Sequence, residues 1–510
     1  MSRRRKILIT VGIALGVAIF IPVIRHYQLR AATEAYIAEL KAKGEPMDLA
    51  QVIPPPVPPE QNGAPLVAKA FANLDKLYSK ITNLANFPPP AMCAVAPGRA
   101  MIGWQQPDIR SSGGTNSWES LGRELAAAKT DLDSFQSLTN HPILDFNLDY
   151  QKVPNLRLPH LASLKISAQW LSASAIYDLH QENPKNACAD VRAMLALVKG
   201  EADERILISQ LVRIAMASMA ASSTWEILQD PDVSDDDLAQ LQQDWQLLKF
   251  TEPIEQAMMF ERVENLQEIG QTRKSSEKFD QLWGYFYAPD APLKKNEDMF
   301  PSQTRRSLFL RKWDELRWRW FWSYQDELRG LKSFQVMIAA TRIAETNESF
   351  TTAESFALAR LKPGQNSSDD LHNYFSRFAS VLQAVLHKAA RIETTRNVVI
   401  TAIALKRYEL RHHQFPATLD QLTPDFLKSV PIDCMDGQPL RYRLNSDGTF
   451  LLYSVGENGK DDGGDPSLEK YATGSYYSWQ NDHALDWVWP QPATEDEIQS
   501  YYKKISANAN

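Results

Sequence analysis

Residues 161–250 limit most narrowly what this chain can fold into. Leu164, Ala168, Leu171, Ala175, Ile176 and Leu179 recur at three- and four-residue intervals. That spacing lines one face of an α-helix and would fall on both faces of a strand. A helix is therefore predicted over 161–181. Asn183 and Pro184 break it, because proline cannot donate to a helix interior. A second helix over 186–199 stops at Gly200, and a third spans 203–228. The third carries Ala215, Ala217, Ser218, Ala220, Ala221 and Ser222, small enough for close helix approach. Ser234, with Asp237 three residues on, marks the start of a fourth. Two hairpins of this length predict a helical-hairpin body without a clean repeat period. Plain helical packing is the simpler reading of it, and a concave partner-binding surface is the functional one.

The N-terminus adds a second constraint. SRRRK at 2–6 precedes ILITVGIALGVAIFIPVI at 7–24, a run without charge. At 1.5 Å rise per residue such a run nearly spans a hydrocarbon core of ~30 Å. The basic cluster predicts a cytoplasmic N-terminus, with everything after residue 25 across a bacterial inner membrane. The run lacks a small-residue cleavage site, which argues for an uncleaved single-pass anchor. Helix formers continue over 27–43 to Gly44 as a stalk. The prolines of VIPPPVPPEQNGAP at 52–65 then give a stiff spacer.

A helix is expected from 66 to about 84, a loop over 85–116, and a helix over 118–139 started by Asn116 or Ser117. Residues 271–305 are polar and read as an excursion. In RKWDELRWRWFWSYQDELRGL, at 311–331, Trp313, Leu316, Trp320, Tyr324 and Leu328 share one helical face. They are read first as an aromatic core with arginine stems packed along it; a membrane-surface or ligand-binding stripe is the other reading.

Catalytic signatures are scarce. Lysine and arginine total 55 against 62 acids, a net charge of −7. Without a basic block beyond the N-terminus, nucleic acid is not an expected partner. Cys93, Cys188 and Cys434 lie far apart and form no metal-type pair. None of the nine histidines has a paired metal spacing, and there is no GxSxG, Walker A or GxGxxG motif. Acids are numerous, but no spacing singles out a hydrolytic pair.

The C-terminal third is more specific. A long helix, or two in succession, is predicted over 372–413. Leu440, Tyr442 and Leu444 alternate with Arg441 and Arg443 as a half-buried strand does. NSDG at 445–448 is a hairpin loop, and 450–453 is the returning strand. Next comes YSVGENGKDDGGD at 453–465, with four glycines and four acids.

This order of motifs resembles the globular part of the major pseudopilin of type II secretion. The residues that carry the resemblance are Phe415, Pro416, Thr418, Leu419 and Leu422, then Pro431, Asp433, Gly437, Pro439, Leu440 and Tyr442. Tyr453, Ser454, Gly456, Gly459, Gly463, Gly464, Asp486 and Trp487 complete the series. The resemblance implies a long helix packed on a small antiparallel sheet. It also implies a loop that wraps calcium, a hard cation that takes oxygen ligands. Glu457, Asn458, Asp461, Asp462, Asp465 and Asp486 are the candidate ligands. Two features depart from the family. Asn458 and Gly459 stand where it has Asp-Gly, and the apolar N-terminal run lacks the peptidase site and its glutamate.

The expected fold is mainly α, with a helical-hairpin body and a C-terminal α+β module. The expected divisions are a tip and anchor (1–26), stalk and spacer (27–65), body (66–370), pseudopilin-like module (371–490) and tail helix (491–510). The expected function is an anchored, extracytoplasmic binding or scaffold protein of the bacterial envelope, associated with secretion and meeting a protein partner there. An extracytoplasmic hydrolase with an unrecognised carboxylate site is the alternative.

Overall fold

The computed structural model describes residues 3–78, 91–111, 114–152, 156–287, 305–361, 378–468 and 484–508. The chain begins with α1 (Arg3–Ala42), α2 (Leu49–Val52) and α3 (Ala64–Tyr78). Two short hairpins follow, β1 (Cys93–Ala96) with β2 (Arg99–Met101) and β3 (Ile109–Ser111) with β4 (Gly114–Asn116). The helical body comprises α4 (Trp118–Gln136), α5 (Pro159–His180), α6 (Pro184–Gly200), α7 (Leu207–Leu228) and α8 (Asp235–Gln246). It continues through α9 (Thr251–Lys274), α10 (Ser276–Tyr287), α11 (Arg305–Arg317), α12 (Ser323–Asn347), α13 (Phe350–Arg360) and α14 (Phe378–His412). Strands β5 (Ile432–Asp433), β6 (Gln438–Pro439), β7 (Arg441–Leu444), β8 (Phe450–Ser454), β9 (Trp487–Val488) and β10 (Gln491–Pro492) come next, and α15 (Glu495–Asn508) closes the chain. The mainly α fold with small antiparallel sheets near the C-terminus agrees with the sequence reading.

The chain divides into two compact units. The first takes Met1–Ile53, Met258–Ala340 and Phe356–Ala384. The expectation of a single-pass inner-membrane protein is overturned here. Among the described residues no helix is long and apolar enough to cross a membrane. The apolar run is eighteen residues long, short of the ~20 a span needs, and charge flanks it at both ends. Beyond it α1 becomes polar and is fastened to this unit. Arg25 donates to Gln325 at 2.7 Å, and the His26 ring lies 4.8 Å from that of Trp320. Further on, the Thr33 hydroxyl reaches the Tyr324 carbonyl. Gly44 stands at φ +82°, as the expected end of the helix requires.

The tryptophan-rich helix also departs from its predicted face. Trp318 is wholly buried, while Trp313, Leu316 and Trp320 are 52%, 52% and 46% exposed. Residues Trp318–Trp322 form a π-helical turn between α11 and α12. The wider turn changes the register of the side chains after it, but Trp313 and Leu316 precede it, so the predicted stripe is on the exposed side before the turn begins.

The second unit takes Pro54–Ala257, Thr341–Ser355 and Val385–Asn510. Its helical starts follow the sequence signals. The side chains of Ser117, Asn183 and Ser234 each accept a backbone N–H three residues on. Helices α5, α6 and α7 pack through Leu164, Ala168, Leu171, Val191, Met194, Ala217 and Ala220, all fully buried. The third helix starts at Leu207 rather than 203, because residues 201–203 tighten into a 3₁₀ turn.

The loop expected over 85–116 contains four short strands among its described residues. Strand β2 pairs β1 antiparallel and β10 parallel, a partner almost 400 residues away that local pattern cannot announce. The predicted excursion at 271–305 is helical as far as Tyr287. Residues 79–90, 288–304 and 362–377, parts of those two expectations and of the boundary placed at 371, lie outside the described residues. All three cysteines are free.

The C-terminal sheet has the order β7-β8-β9. Arg441 faces Tyr453 and Leu444 faces Phe450 across the predicted hairpin. Leu440, just before β7, is buried, while Leu444 at the end of the strand is exposed. Asp433 anchors the module from a fully buried position. It accepts hydrogen bonds from the Ser454 hydroxyl at 2.8 Å, the Val455 amide at 2.9 Å, the Met435 amide at 3.0 Å and Arg441 at 3.1 Å. Asp433→Ala strands these donors and is expected to lower stability by about 2–3 kcal/mol, read as a shift in urea midpoint. A loss under ~0.5 kcal/mol would refute the anchoring role.

Candidate functional site

Helices α4, α5 and α6 enclose a cleft of about 550 Å³. Helix α4 contributes Gly122, Leu125, Lys129, Leu132, Asp133 and Gln136. The last turns of α5 contribute Ser174, Tyr177 and Asp178, and the first turns of α6 contribute Asn186 and Asp190. The tight turn between α5 and α6 sets this arrangement. The Asn183 amide donates to the Asp178 carbonyl at 2.8 Å, while its side chain caps α6. Gly122 is required for a close approach, since a Cβ there would collide with the Tyr177 hydroxyl. Trp118 stacks on His180 at 3.9 Å and steadies the same end of α5.

Three carboxyls and one ammonium define the electrostatics of this cleft. Asp190 is buried, 4% exposed, and its Oδ2 has no hydrogen-bond partner. Burial, reinforced by the nearby charges of Asp178 and Asp133, pushes its carboxyl up to about 7. Asp178 rises to about 6 through burial, with Lys129 opposing and Asp133 adding to the rise. The Lys129 ammonium is engaged by Asp133 at 2.9 Å.

The other end of the α5–α6 hairpin carries His160, Glu201 and Glu204. All three are buried, and each offers one ligand atom within 4.8 Å of the other two. Among the described residues no second group of three His, Cys, Asp or Glu side chains comes together in this way.

The six residues singled out in the glycine-rich loop are placed differently. Glu457 turns to Arg391 at 2.8 Å and His387 at 3.8 Å. Asn458 bonds Asp462 at 3.1 Å, and Asp462 also pairs with Lys460. Asp461 accepts from the Tyr453 hydroxyl at 2.9 Å and the Gly463 amide at 3.0 Å. Asp465 accepts the Ser467 amide at 2.9 Å. Asp486 is fully buried and gathers the amides of Gly464 at 2.8 Å and Asp465 at 3.2 Å. Gly456, Gly459, Gly463 and Gly464 all have positive φ, so the glycines serve the backbone path of the loop. The calcium expectation rests on the resemblance alone.

Sequence reasoning passed over Asp178, Asp190, His160, Glu201 and Glu204. One of them left a signal. Asp190 sits on the same helical face as Ala187, Val191 and Met194, an inward position that should be apolar. His160 and Glu201 are 41 residues apart and become neighbours only when the hairpin closes. No family model, curated protein or solved structure matches the chain.

Proposed function

We propose that this chain is a helical binding protein whose α4–α5–α6 cleft accepts a small cationic ligand bearing hydrogen-bonding groups. The observation that carries this reading is the buried Asp190 carboxylate, which lines the cleft with an oxygen bonded to nothing. A buried carboxylate oxygen without a partner is destabilising even where Ser174 and Gln136 hold the rest of the carboxyl, and a ligand ammonium relieves it. The acids of the lining outnumber its single lysine, which supports a cation over an anion. Ser174, Tyr177, Asn186 and Gln136 supply donors and acceptors, while Leu125 and Leu132 offer apolar contact for a ligand stem.

Calorimetry with a panel of diamines, polyamines and amino sugars tests the proposal. Saturable 1:1 binding is expected, weakened at least about tenfold in Asp190→Asn and in Asp178→Asn. Affinity should rise from pH 6 to pH 8. A cation requires both carboxyls ionised, and in the free cleft they hold protons up to about 6 and about 7. Binding then releases protons, and the measured heat varies with buffer ionisation enthalpy. No binding across the panel, or affinity indifferent to pH, would sink the reading.

The same pair supports a second reading. Two carboxyls held near neutrality beside a cleft suit acid–base hydrolysis. Turnover of chromogenic glycosides or esters, lost in both asparagine variants, would favour it over binding alone.

A further inference from the structure

We infer that His160, Glu201 and Glu204 bind one first-row divalent transition-metal ion, which staples the open end of the α5–α6 hairpin to the start of α7. This site is independent of the cleft. His160 opens α5, Glu201 lies in the 3₁₀ turn after α6, and Glu204 precedes α7. A metal held by all three therefore ties together the chain entering and leaving the hairpin.

The geometry is close to coordination geometry. His160 Nε2 lies 3.0 and 3.1 Å from the two Glu204 oxygens and 3.8 Å from Glu201 Oε1. Ligands bound at about 2.0–2.2 Å stand roughly 3–3.5 Å from one another, so only small movements are needed. The donor set and the charge agree. Two carboxylates balance a divalent cation, and a neutral imidazole completes a set that calcium or magnesium would prefer in oxygen alone.

A second observation points to a missing ligand. Glu201 is wholly buried, and neither of its carboxylate oxygens has a hydrogen-bond partner. The surroundings are otherwise built to hold the trio in place. Phe146 stacks on the His160 ring at 4.3 Å, and the Ser209 hydroxyl donates to Glu204. Gln210 donates to the Glu204 carbonyl at 2.7 Å and fixes the turn. Such support around metal ligands orients them for binding.

The test uses the full chain, stripped with a chelator and titrated with Co²⁺, then with Zn²⁺ in competition. One equivalent of Co²⁺ should bind with d–d absorption bands, be displaced by Zn²⁺, and raise the melting temperature by several degrees. Glu201→Gln and His160→Gln should abolish that binding while circular dichroism shows the helices intact. Absence of stoichiometric binding by the parent chain would overturn the inference. So would undiminished binding in both variants. Should the variants fail to fold, X-ray absorption on the Zn²⁺-loaded parent decides. One imidazole with oxygen ligands supports the site, whereas sulfur or several imidazoles would refute it.

Discussion

Replacing Arg213 with alanine is expected to lower the unfolding free energy by about 3–5 kcal/mol. This arginine is 1% exposed and sits on α7. Its Nε donates to the Val198 carbonyl at 2.6 Å, and one terminal nitrogen donates to the Lys249 carbonyl at 2.5 Å. The guanidinium lies 4.5 Å from the centre of the Phe250 ring. It thus joins the end of α6 to the segment between α8 and α9, across α7. Truncation takes a donor from the buried Val198 carbonyl and from the part-buried Lys249 carbonyl, and leaves an aromatic face without its cation and a cavity. Arg213→Lys should recover only part of the loss, because an ammonium lacks the planar fork that reaches both carbonyls. Urea denaturation of the parent and both variants measures this. A loss below about 1 kcal/mol in the alanine variant would show that the arginine is not a structural hub.

Stability should also fall as pH rises from about 4.5 to about 7.5. Glu226 is wholly buried and accepts the amides of Met92 at 2.8 Å and Gly103 at 3.0 Å, which join it to the first hairpin. Burial nonetheless pushes its carboxyl up to about 7 from an ordinary 4.5. Asp190 moves in the same direction, to about 7 from 3.8. Below their unfolded values both groups are protonated in either state and contribute no difference. Above those values the unfolded chain releases protons that the folded chain retains. Folded protein then binds more protons, and the unfolding free energy declines with pH until the folded groups ionise. At roughly 1.4 kcal/mol per unit, each group contributes on the order of 3–4 kcal/mol across the whole range.

His387 adds to the trend. Although burial opposes it, Glu457 and Glu354 raise its pKa, and the stabilisation is lost as pH climbs through that raised value. Asp235 works at the other end of the scale. Despite burial, Arg407 and Arg411 hold its carboxyl below the usual range, and its contribution disappears as pH falls through the lowered value. The expected profile has its maximum at about pH 4–4.5, and Glu226→Gln and Asp190→Asn should each flatten its neutral limb. A maximum at pH 7 or above, or variants with unchanged slope, would contradict it.

Much of the fold was legible because its signals are local. Ser117 and Ser234 cap the helices they were expected to start, Asn183, expected only as a break, caps the helix that begins at Pro184, and 445–448 turns the hairpin it was expected to turn. Such signals need only neighbours within a few residues. The N-terminal run misled because its eighteen uncharged residues read as a span, whereas no described helix is long and apolar enough to cross a membrane. The tryptophan stripe misled because periodicity gives which residues share a face and not which face a neighbour covers: Trp318 is buried while Trp313, Leu316 and Trp320 are exposed.

The sequence by itself determined a mainly helical chain, its hairpin breaks and caps, and a C-terminal module of helix and short strands. These follow from periodicity, proline and glycine placement and capping chemistry, which act along the chain. Only the tertiary structure decided which acids matter. It turned Glu457 toward Arg391 and His387, buried Asp190 beside a cleft with an oxygen unpaired, and brought His160 to Glu201 and Glu204. A carboxylate's chemistry is set by its burial and by the charges around it. Both are supplied by segments distant in sequence, and they exist only once the hairpins have packed.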